Sequence, residues 1–202
     1  MPHSPADAFD RRNLVTYLSL LCGVAAIEAA GNGHARAALG LVALAVVADT
    51  LDGRFARLFG DDPRRQAIGA ELDSLADAIA FGVAPVVAAG AAIDRAAGGN
   101  GVWWVAAAFA YAACAITRLG FYNVSPDTER GLGFVGIPVP VAALLLCSVT
   151  AARPSLAAFI TVATACAAMM VLPLRIARPR GAGLLLFLCW PLAVAALLLL
   201  NP

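Results

Sequence analysis

Apolar residues run along this chain in seven long stretches that are separated by short polar or turn-forming clusters. The stretches cover residues 14–31, 37–59, 67–93, 102–123, 137–152, 155–173 and 183–200. A helix needs about 20 apolar residues to cross a bilayer, and each stretch approaches that length. The breaks include Gly31-Asn32-Gly33 and Asp61-Asp62-Pro63, and Pro85 is expected to kink the third helix or to divide it in two. The pattern predicts an all-α fold, a polytopic bundle of about six to eight transmembrane helices, with residues 1–202 forming a single domain.

Composition agrees with a membrane location and narrows the chemistry. Of the 202 residues, 61% are hydrophobic and 13% are charged, whereas a soluble domain carries about 25% charged residues. The net charge of +1 gives no basic field, so no nucleic-acid partner is expected. All fourteen basic residues are arginine, which excludes catalysis by lysine. The five cysteines include no C-x2-C pair, so a zinc or redox site is not expected.

Four aspartates lie inside these apolar stretches, where a carboxylate costs several kcal/mol and therefore indicates function. Asp49 and Asp52 are three residues apart, and Asp73 and Asp77 are four apart, so each pair lies on one face of a helix. Two such faces opposed can hold divalent cations through hard oxygen ligands, which Mg²⁺ and Mn²⁺ prefer. Glu71 lies roughly 200° around the helix from Asp73 and is expected to pair with an arginine instead.

The order of residues around the aspartates resembles the signature of the CDP-alcohol phosphotransferase family. The pattern is D-x2-D-G-x2-A-R over residues 49–57, followed by G-x3-D-x3-D over residues 69–77. The resemblance implies transfer of a phosphatidyl group from a CDP-linked lipid, with CMP leaving. It assigns Asp49, Asp52, Asp73 and Asp77 to the metal, and it makes Asp77 also the general base that deprotonates an acceptor hydroxyl.

The same resemblance suggests contacts to the CDP-lipid. Small residues at Gly53, Ala56 and Gly69 allow close approach of the nucleotide, although small residues in membrane helices more often mediate packing. Arg57 is expected to hold a phosphate through its planar fork. The family's first helix contributes through a P-N-x2-T-like start, and the equivalent residues here are Asn13 and Thr16, with arginine in place of proline at position 12.

Three further segments resemble the membrane-embedded phosphatidylserine synthases: residues 69–85, 118–124 and 134–140. The chain departs from them in a longer interval between residues 57 and 69, and in Phe121, which replaces a second arginine. The resemblance implies CDP-diacylglycerol and L-serine as substrates. Serine is a zwitterion, so its site needs a cation for the carboxylate, and Arg118, Asn123 and Arg130 are the candidate acceptor-binding residues.

Other functions stay open at this stage. A phosphorylated acceptor, glycerol 3-phosphate or inositol phosphate, would need several converging arginines, which residues 118, 130, 175 and 178 could supply. An ion or proton transporter would use its carboxylates as a relay across the membrane. Carboxylates clustered at one end beside Gly53 and Arg57 fit a diphosphate pocket better than such a relay, and a structural scaffold explains none of the four aspartates.

The arginines also predict the orientation. With the N-terminus in the cytoplasm, eleven arginines lie on the cytoplasmic side and three on the other, as the positive-inside rule requires. The four aspartates then lie at the cytoplasmic ends of the second and third helices. We expect a multi-pass protein of the inner membrane, in contact with membrane lipids, whose active site faces the cytoplasm. The family resemblance implies a homodimer.

Overall fold

The computed structural model describes residues 9–56, 59, 62–93, 101–124, 134–152, 155–176 and 182–200. For Gly53, Arg54, Ala56, Phe134 and residues 182–187 the structure describes the backbone alone. A single 3₁₀ turn, Arg11–Asn13, leads into the first helix. The helices are α1 (Leu14–Gly31), α2 (Ala35–Ala56), α3 (Pro63–Asp77), α4 (Ala84–Ala92), α5 (Val102–Val124), α6 (Val139–Ala151), α7 (Leu156–Val171) and α8 (Ala182–Leu200). Two short strands, β1 (Phe134–Val135) and β2 (Arg175–Ile176), pair antiparallel.

These helices confirm the predicted helical bundle, and each of the seven apolar stretches coincides with a helical segment. In the described part of the chain, three helical segments are long and apolar enough to cross a membrane: Arg11–Gly31, Pro63–Ala92 and Val102–Val124. The helices α6 and α7 contain 13 and 16 residues, fewer than the about 20 of a typical span.

The third helical segment is continuous from residue 63 to residue 92 and carries a π-helical turn, Ala78–Val83, between α3 and α4. Pro85 explains this change of winding, because it lacks the N–H that would bond the carbonyl of Phe81 four residues earlier. The buried hydroxyl of Tyr111 on α5 donates to that carbonyl at 3.1 Å. The prediction of a kink or a division at Pro85 therefore resolves as a π turn that leaves the helix unbroken.

Small residues let the helices of the core approach closely. A Cβ placed on Gly23 of α1 would lie 2.8 Å from the Cα of Ala80, which is closer than two packed carbons can come. A second contact between helices is polar, since Ser19 of α1 donates to the carbonyl of Ala45 on α2 at 3.3 Å. Transmembrane helices associate through close packing at small side chains and through hydrogen bonds between helices.

The outer faces of two helices are apolar and exposed. Leu14, Leu18 and Leu21 lie on the exposed side of α1, and Trp103 and Phe109 on that of α5. The opposite face of α5 is buried. Exposed apolar surface on this scale is abnormal for a soluble monomer and agrees with contact to lipid.

Polar contacts join the N-terminal segment to the connection between α2 and α3 at one end of the bundle. Arg65 at the start of α3 donates to the carboxylate of Asp10 at 2.7 Å, which joins the α2–α3 connection to the N-terminal segment. The backbone N–H of Arg12 and the guanidinium of Arg65 hold the pKa of the Asp10 carboxyl below its usual value. Asp62 caps α3 by accepting from the backbone N–H of Arg64 at 3.0 Å, with proline at the first helical position.

Candidate active site

Three aspartates from two helices converge. One carboxylate oxygen from each of Asp49, Asp73 and Asp77 lies within 4.8 Å of the others. Asp49 lies two turns before the end of α2, while Asp73 and Asp77 occupy successive turns at the end of α3. Asp77 is the most enclosed of the three, with 8% of its surface exposed. The fold therefore brings Asp49 of α2 to the acidic face of α3 that the helical spacing predicted.

Asp52 lies beside this group and is held by the first helix. It follows Asp49 by three residues on α2, nearly one turn further along the helix. The hydroxyl of Thr16 on α1 donates to Asp52 Oδ2 at 2.7 Å. The other oxygen, Oδ1, is buried and has no hydrogen-bond partner among the described residues. An orphaned carboxylate oxygen of this kind is an unused ligand position.

The donor set fits a hard divalent cation. Carboxylate oxygens are the ligands that Mg²⁺ and Mn²⁺ prefer, and the arrangement offers three converging carboxylates with a fourth beside them. At an effective dielectric constant of about 20, two unit negative charges 4.8 Å apart repel by about 3 to 4 kcal/mol. A bound cation would relieve that repulsion, which gives the cluster a physical reason to bind one.

The start of the first helix lies against α3 at its glycine. A Cβ on Gly69 would lie 3.1 Å from Oδ1 of Asn13, so a larger residue there would require the amide of Asn13 to shift by a few tenths of an ångström. Asn13 and Thr16 are both buried, and both face the helices that carry the aspartates. Gly53 and Ala56 lie on the last turn and a half of α2, but their side chains are outside the described part, and Arg57 is outside the described residues.

Arg118 of α5 comes next to the acidic group. Its charge acts on Asp77, and 8% of its surface is exposed. Its guanidinium carbon lies 4.5 Å from the centre of the Tyr122 ring, a distance at which an arginine and an aromatic ring attract each other. Its Nε is buried and has no hydrogen-bond partner in the described part of the chain. The arginine is thus orientated by Tyr122 and retains an unused donor.

Asn123, the second predicted acceptor-binding residue, is engaged with α3. Ser74 donates to its Oδ1 at 2.8 Å, and its Nδ2 donates to Glu71 at 3.2 Å. A contact between Asn123 and an acceptor therefore stays a prediction. To make that contact, Asn123 would have to share or give up its bond to Ser74 or to Glu71. Glu71 was expected to pair with an arginine, and its described contact is this bond from Asn123. The third predicted residue, Arg130, lies outside the described residues.

Two residues at this site were not singled out from the sequence. Tyr122 orientates Arg118, and its hydroxyl is hydrogen-bonded to both the backbone N–H and the carbonyl of Val135 on β1. Ser74 joins α3 to α5 through Asn123. The available signal for Tyr122 was its position four residues after Arg118, which places both side chains on one helical face.

Comparisons with known proteins cover the part of the chain that contains this site. The sequence model of the CDP-alcohol phosphatidyltransferase family matches residues 12–177. A CDP-diacylglycerol–serine O-phosphatidyltransferase of Mycobacterium leprae is 38% identical over 136 residues, which cover 64% of this chain and 43% of that protein. A protein of the same name from Helicobacter pylori is 36% identical over 146 residues, which cover 72% of this chain and 58% of that protein.

A third relative carries a different name. An archaetidylserine synthase of Methanothermobacter thermautotrophicus is 33% identical over 145 residues, which cover 67% of this chain and 55% of that protein. The chain spans about half the length of the curated relatives it matches.

Proposed function

This chain belongs to the CDP-alcohol phosphatidyltransferase family, and we propose that it transfers the phosphatidyl group of CDP-diacylglycerol to L-serine, giving phosphatidylserine and CMP. The observation that carries the proposal is the convergence of Asp49, Asp73 and Asp77 within 4.8 Å. Carboxylates gathered at one place favour a metal-assisted displacement at phosphorus over a relay that crosses the membrane, as a transporter would need.

The metal ligands in this proposal are Asp49, Asp52, Asp73 and Asp77, and the metal is Mg²⁺ or Mn²⁺. Oδ1 of Asp52 supports the set, because it is buried without a hydrogen-bond partner among the described residues. When bound, the metal neutralises the diphosphate of the donor and stabilises the oxygens that attack and leave. Thr16 orientates Asp52 from behind, as partners of metal ligands commonly do.

Asp77 is the proposed general base. Its carboxylate accepts the proton of the acceptor hydroxyl, the acceptor oxygen forms a bond to phosphorus, and the bond from phosphorus to the oxygen of CMP breaks. The enclosure of Asp77, with 8% of its surface exposed, supports this role because bulk water has little access to it. Arg118 acts on Asp77 electrostatically and keeps a positive charge where the acceptor would bind.

The donor pocket in this proposal is formed by the start of α1 and the facing helices. Asn13 and Thr16 would contact the CDP group, with Gly69 leaving space for it. The 3.1 Å approach at Gly69 supports this arrangement, because a larger residue there would press on the amide of Asn13. Small residues at Gly53 and Ala56 and the fork of Arg57 would complete the pocket, as the family pattern implies.

Serine is the proposed acceptor, and two arguments favour it. The relatives differ in the lipid named, phosphatidyl or archaetidyl, and agree on serine. Arg118 offers an unused buried donor beside the proposed base, which suits a single carboxylate; Asn123 and Arg130 are the further proposed contacts. Glycerol 3-phosphate or inositol phosphate is the alternative, and a phosphate on the acceptor would need more cations than this one.

The membrane location, the orientation and the oligomeric state of the enzyme are also proposals. The arginine distribution supports an inner-membrane protein whose site opens to the cytoplasm. The exposed apolar sides of α1 and α5 suit membrane lipid or a second copy of the chain, and the family resemblance favours a homodimer.

A scan of acceptors tests the function. The purified protein is incubated with CDP-diacylglycerol and Mg²⁺ or Mn²⁺, and CMP release is followed with L-serine, glycerol 3-phosphate or inositol phosphate. We expect release with serine and none without metal. If CMP is released with a phosphorylated acceptor but not with serine, the proposed acceptor is wrong. If CMP is released with none of them, the proposed enzymatic activity is wrong. An Asp77→Asn protein controls for contaminating activity.

A further inference from the structure

Arg12 carries a buried guanidinium with unused hydrogen-bond donors. Only 5% of its surface is exposed, and its Nε and Nη1 are buried without a hydrogen-bond partner among the described residues. Burying a charged group without such partners costs several kcal/mol. Its neighbour Arg11 is exposed, so of these two consecutive arginines one faces solvent and the other is buried. Buried donors left in this state indicate that a ligand supplies the acceptor.

The position of Arg12 connects it with the aspartates. The buried residues of the first helix include Thr16, Ser19 and Gly23, and Arg12 precedes Thr16 by one turn on the same face. Thr16 donates to Asp52 at 2.7 Å. The next residue after Arg12 is Asn13, whose Oδ1 lies against Gly69 of α3. Arg12 is therefore next to the elements that carry both pairs of aspartates.

Two of the unpartnered groups, one on Arg12 and one on Asp52, have opposite charge. Oδ1 of Asp52 lacks a hydrogen-bond donor, and Nε and Nη1 of Arg12 lack an acceptor, yet the described structure does not pair them with each other. A phosphate bound to a divalent cation satisfies both, because the cation meets the carboxylate and the phosphate oxygens meet the guanidinium. A ligand with one charge alone would leave one of the two unsatisfied.

We propose that Arg12 binds phosphate oxygens of the diphosphate in the CDP-linked donor, an inference that rests on the proposed function. The residue at this position is a departure from the P-N-x2-T-like start that the first helix resembles, where proline has neither charge nor donor. The planar fork of arginine suits a phosphate with two acceptor oxygens. Arg12 thereby adds a donor-binding residue that lies outside the family pattern.

Calorimetric titrations with CDP and with cytidine, in the presence of Mg²⁺, separate phosphate contacts from base contacts. We expect Arg12→Ala to weaken CDP binding by about tenfold or more and to leave cytidine binding unchanged, which also shows that the variant is folded. Arg11→Ala is the matched control and should bind CDP like the wild type. Where Arg12→Ala fails to fold, Arg12→Gln keeps most of the volume, and the same loss of CDP affinity is expected.

The phosphate of a membrane lipid is the other source of the same chemistry. The titrations are repeated in nanodiscs of phosphatidylcholine, with and without phosphatidylglycerol. If Arg12 serves a lipid headgroup, the variant binds CDP normally and instead loses the stabilisation that phosphatidylglycerol gives the wild type, which overturns the proposal. Wild-type protein that binds no CDP with Mg²⁺ present would refute the proposed function itself, whereas equal CDP affinity of wild type and variant refutes the role of Arg12 alone.

Discussion

The hydroxyl of Thr16 donates a 2.7 Å hydrogen bond to Oδ2 of Asp52 across 36 positions of the chain. This bond connects the first helix to the acidic group, while Oδ1 of Asp52 is buried without a hydrogen-bond partner among the described residues. It also limits the rotation of the carboxylate, which fixes the direction in which that oxygen is presented.

Replacing Thr16 by valine should weaken the metal site without altering the fold. Valine keeps the branched shape and removes the donor, so we expect metal affinity to fall by about tenfold, while Thr16→Ser retains it. Mg²⁺ titration monitored through CDP binding measures this effect. Thr161→Val is the control, since that hydroxyl bonds a carbonyl of its own helix. Equal metal affinity in Thr16→Val and wild type would show that Thr16 does not support the metal site.

Removing negative charge from the group should stabilise the metal-free protein. The Asp73→Asn variant removes one of three carboxylates that lie within 4.8 Å of one another, and like charges at that distance repel wherever two of them are ionised. Thermal unfolding with a chelator should therefore show a higher Tm for Asp73→Asn than for wild type. Added Mg²⁺ should raise the Tm of wild type by more than that of the variant, which keeps three of the four proposed carboxylate ligands. A variant less stable than wild type in the chelator contradicts the electrostatic account.

Replacing Asp77 by asparagine should abolish turnover and spare donor binding. The general base is lost, which costs about 10²- to 10⁴-fold in rate, while three carboxylates stay available to the metal. CMP release and CDP-lipid binding, measured on the same preparation, check both parts. Glu28→Gln, an exposed carboxylate near the end of α1, should behave like wild type. Near-normal turnover of Asp77→Asn would mean that another group is the base.

The α2–α3 connection should face the cytoplasm. A cysteine placed at Asp62, in a background without the five native cysteines, should react with a membrane-impermeant thiol reagent in inverted vesicles. The arginine distribution is the reason for this expectation. A cysteine placed at Asn32, in the connection at the other end of α1 and α2, should react from the opposite side. Labelling of position 62 in intact cells would show that the predicted orientation is wrong.

Arg118 should determine the affinity for serine. A charge-assisted hydrogen bond contributes about 1.5–3 kcal/mol, so Arg118→Ala should raise the KM for serine by roughly tenfold or more and change the KM for CDP-diacylglycerol far less. Arg118→Lys should rescue poorly, because a point charge lacks the fork. Arg64→Ala, which removes an exposed arginine of α3, serves as the control. An unchanged serine KM in Arg118→Ala would move the carboxylate contact to Arg130 or Asn123.

The sequence by itself determined the helices and the faces on which the aspartates lie. Helix periodicity is local, so the three- and four-residue spacings of Asp49 with Asp52 and of Asp73 with Asp77 were sufficient to predict two acidic faces. The length of the apolar stretches likewise predicted the helical segments, because spanning a bilayer sets a minimum length. Pro85 indicated an irregular turn in the third helix, but the sequence did not show that Tyr111, which comes from another helix, donates to the carbonyl of Phe81 there.

Only the tertiary structure decided which side chains meet between helices. Thr16 was predicted to touch the donor, and packing of α1 against α2 turned its hydroxyl to Asp52. Asn123 was predicted to touch the acceptor, and packing of α3 against α5 engaged its amide with Ser74 and Glu71. The burial of Arg12 is a third such result. Contacts of this kind depend on how far each helix is rotated and shifted against its neighbour, and no period within one helix carries that information.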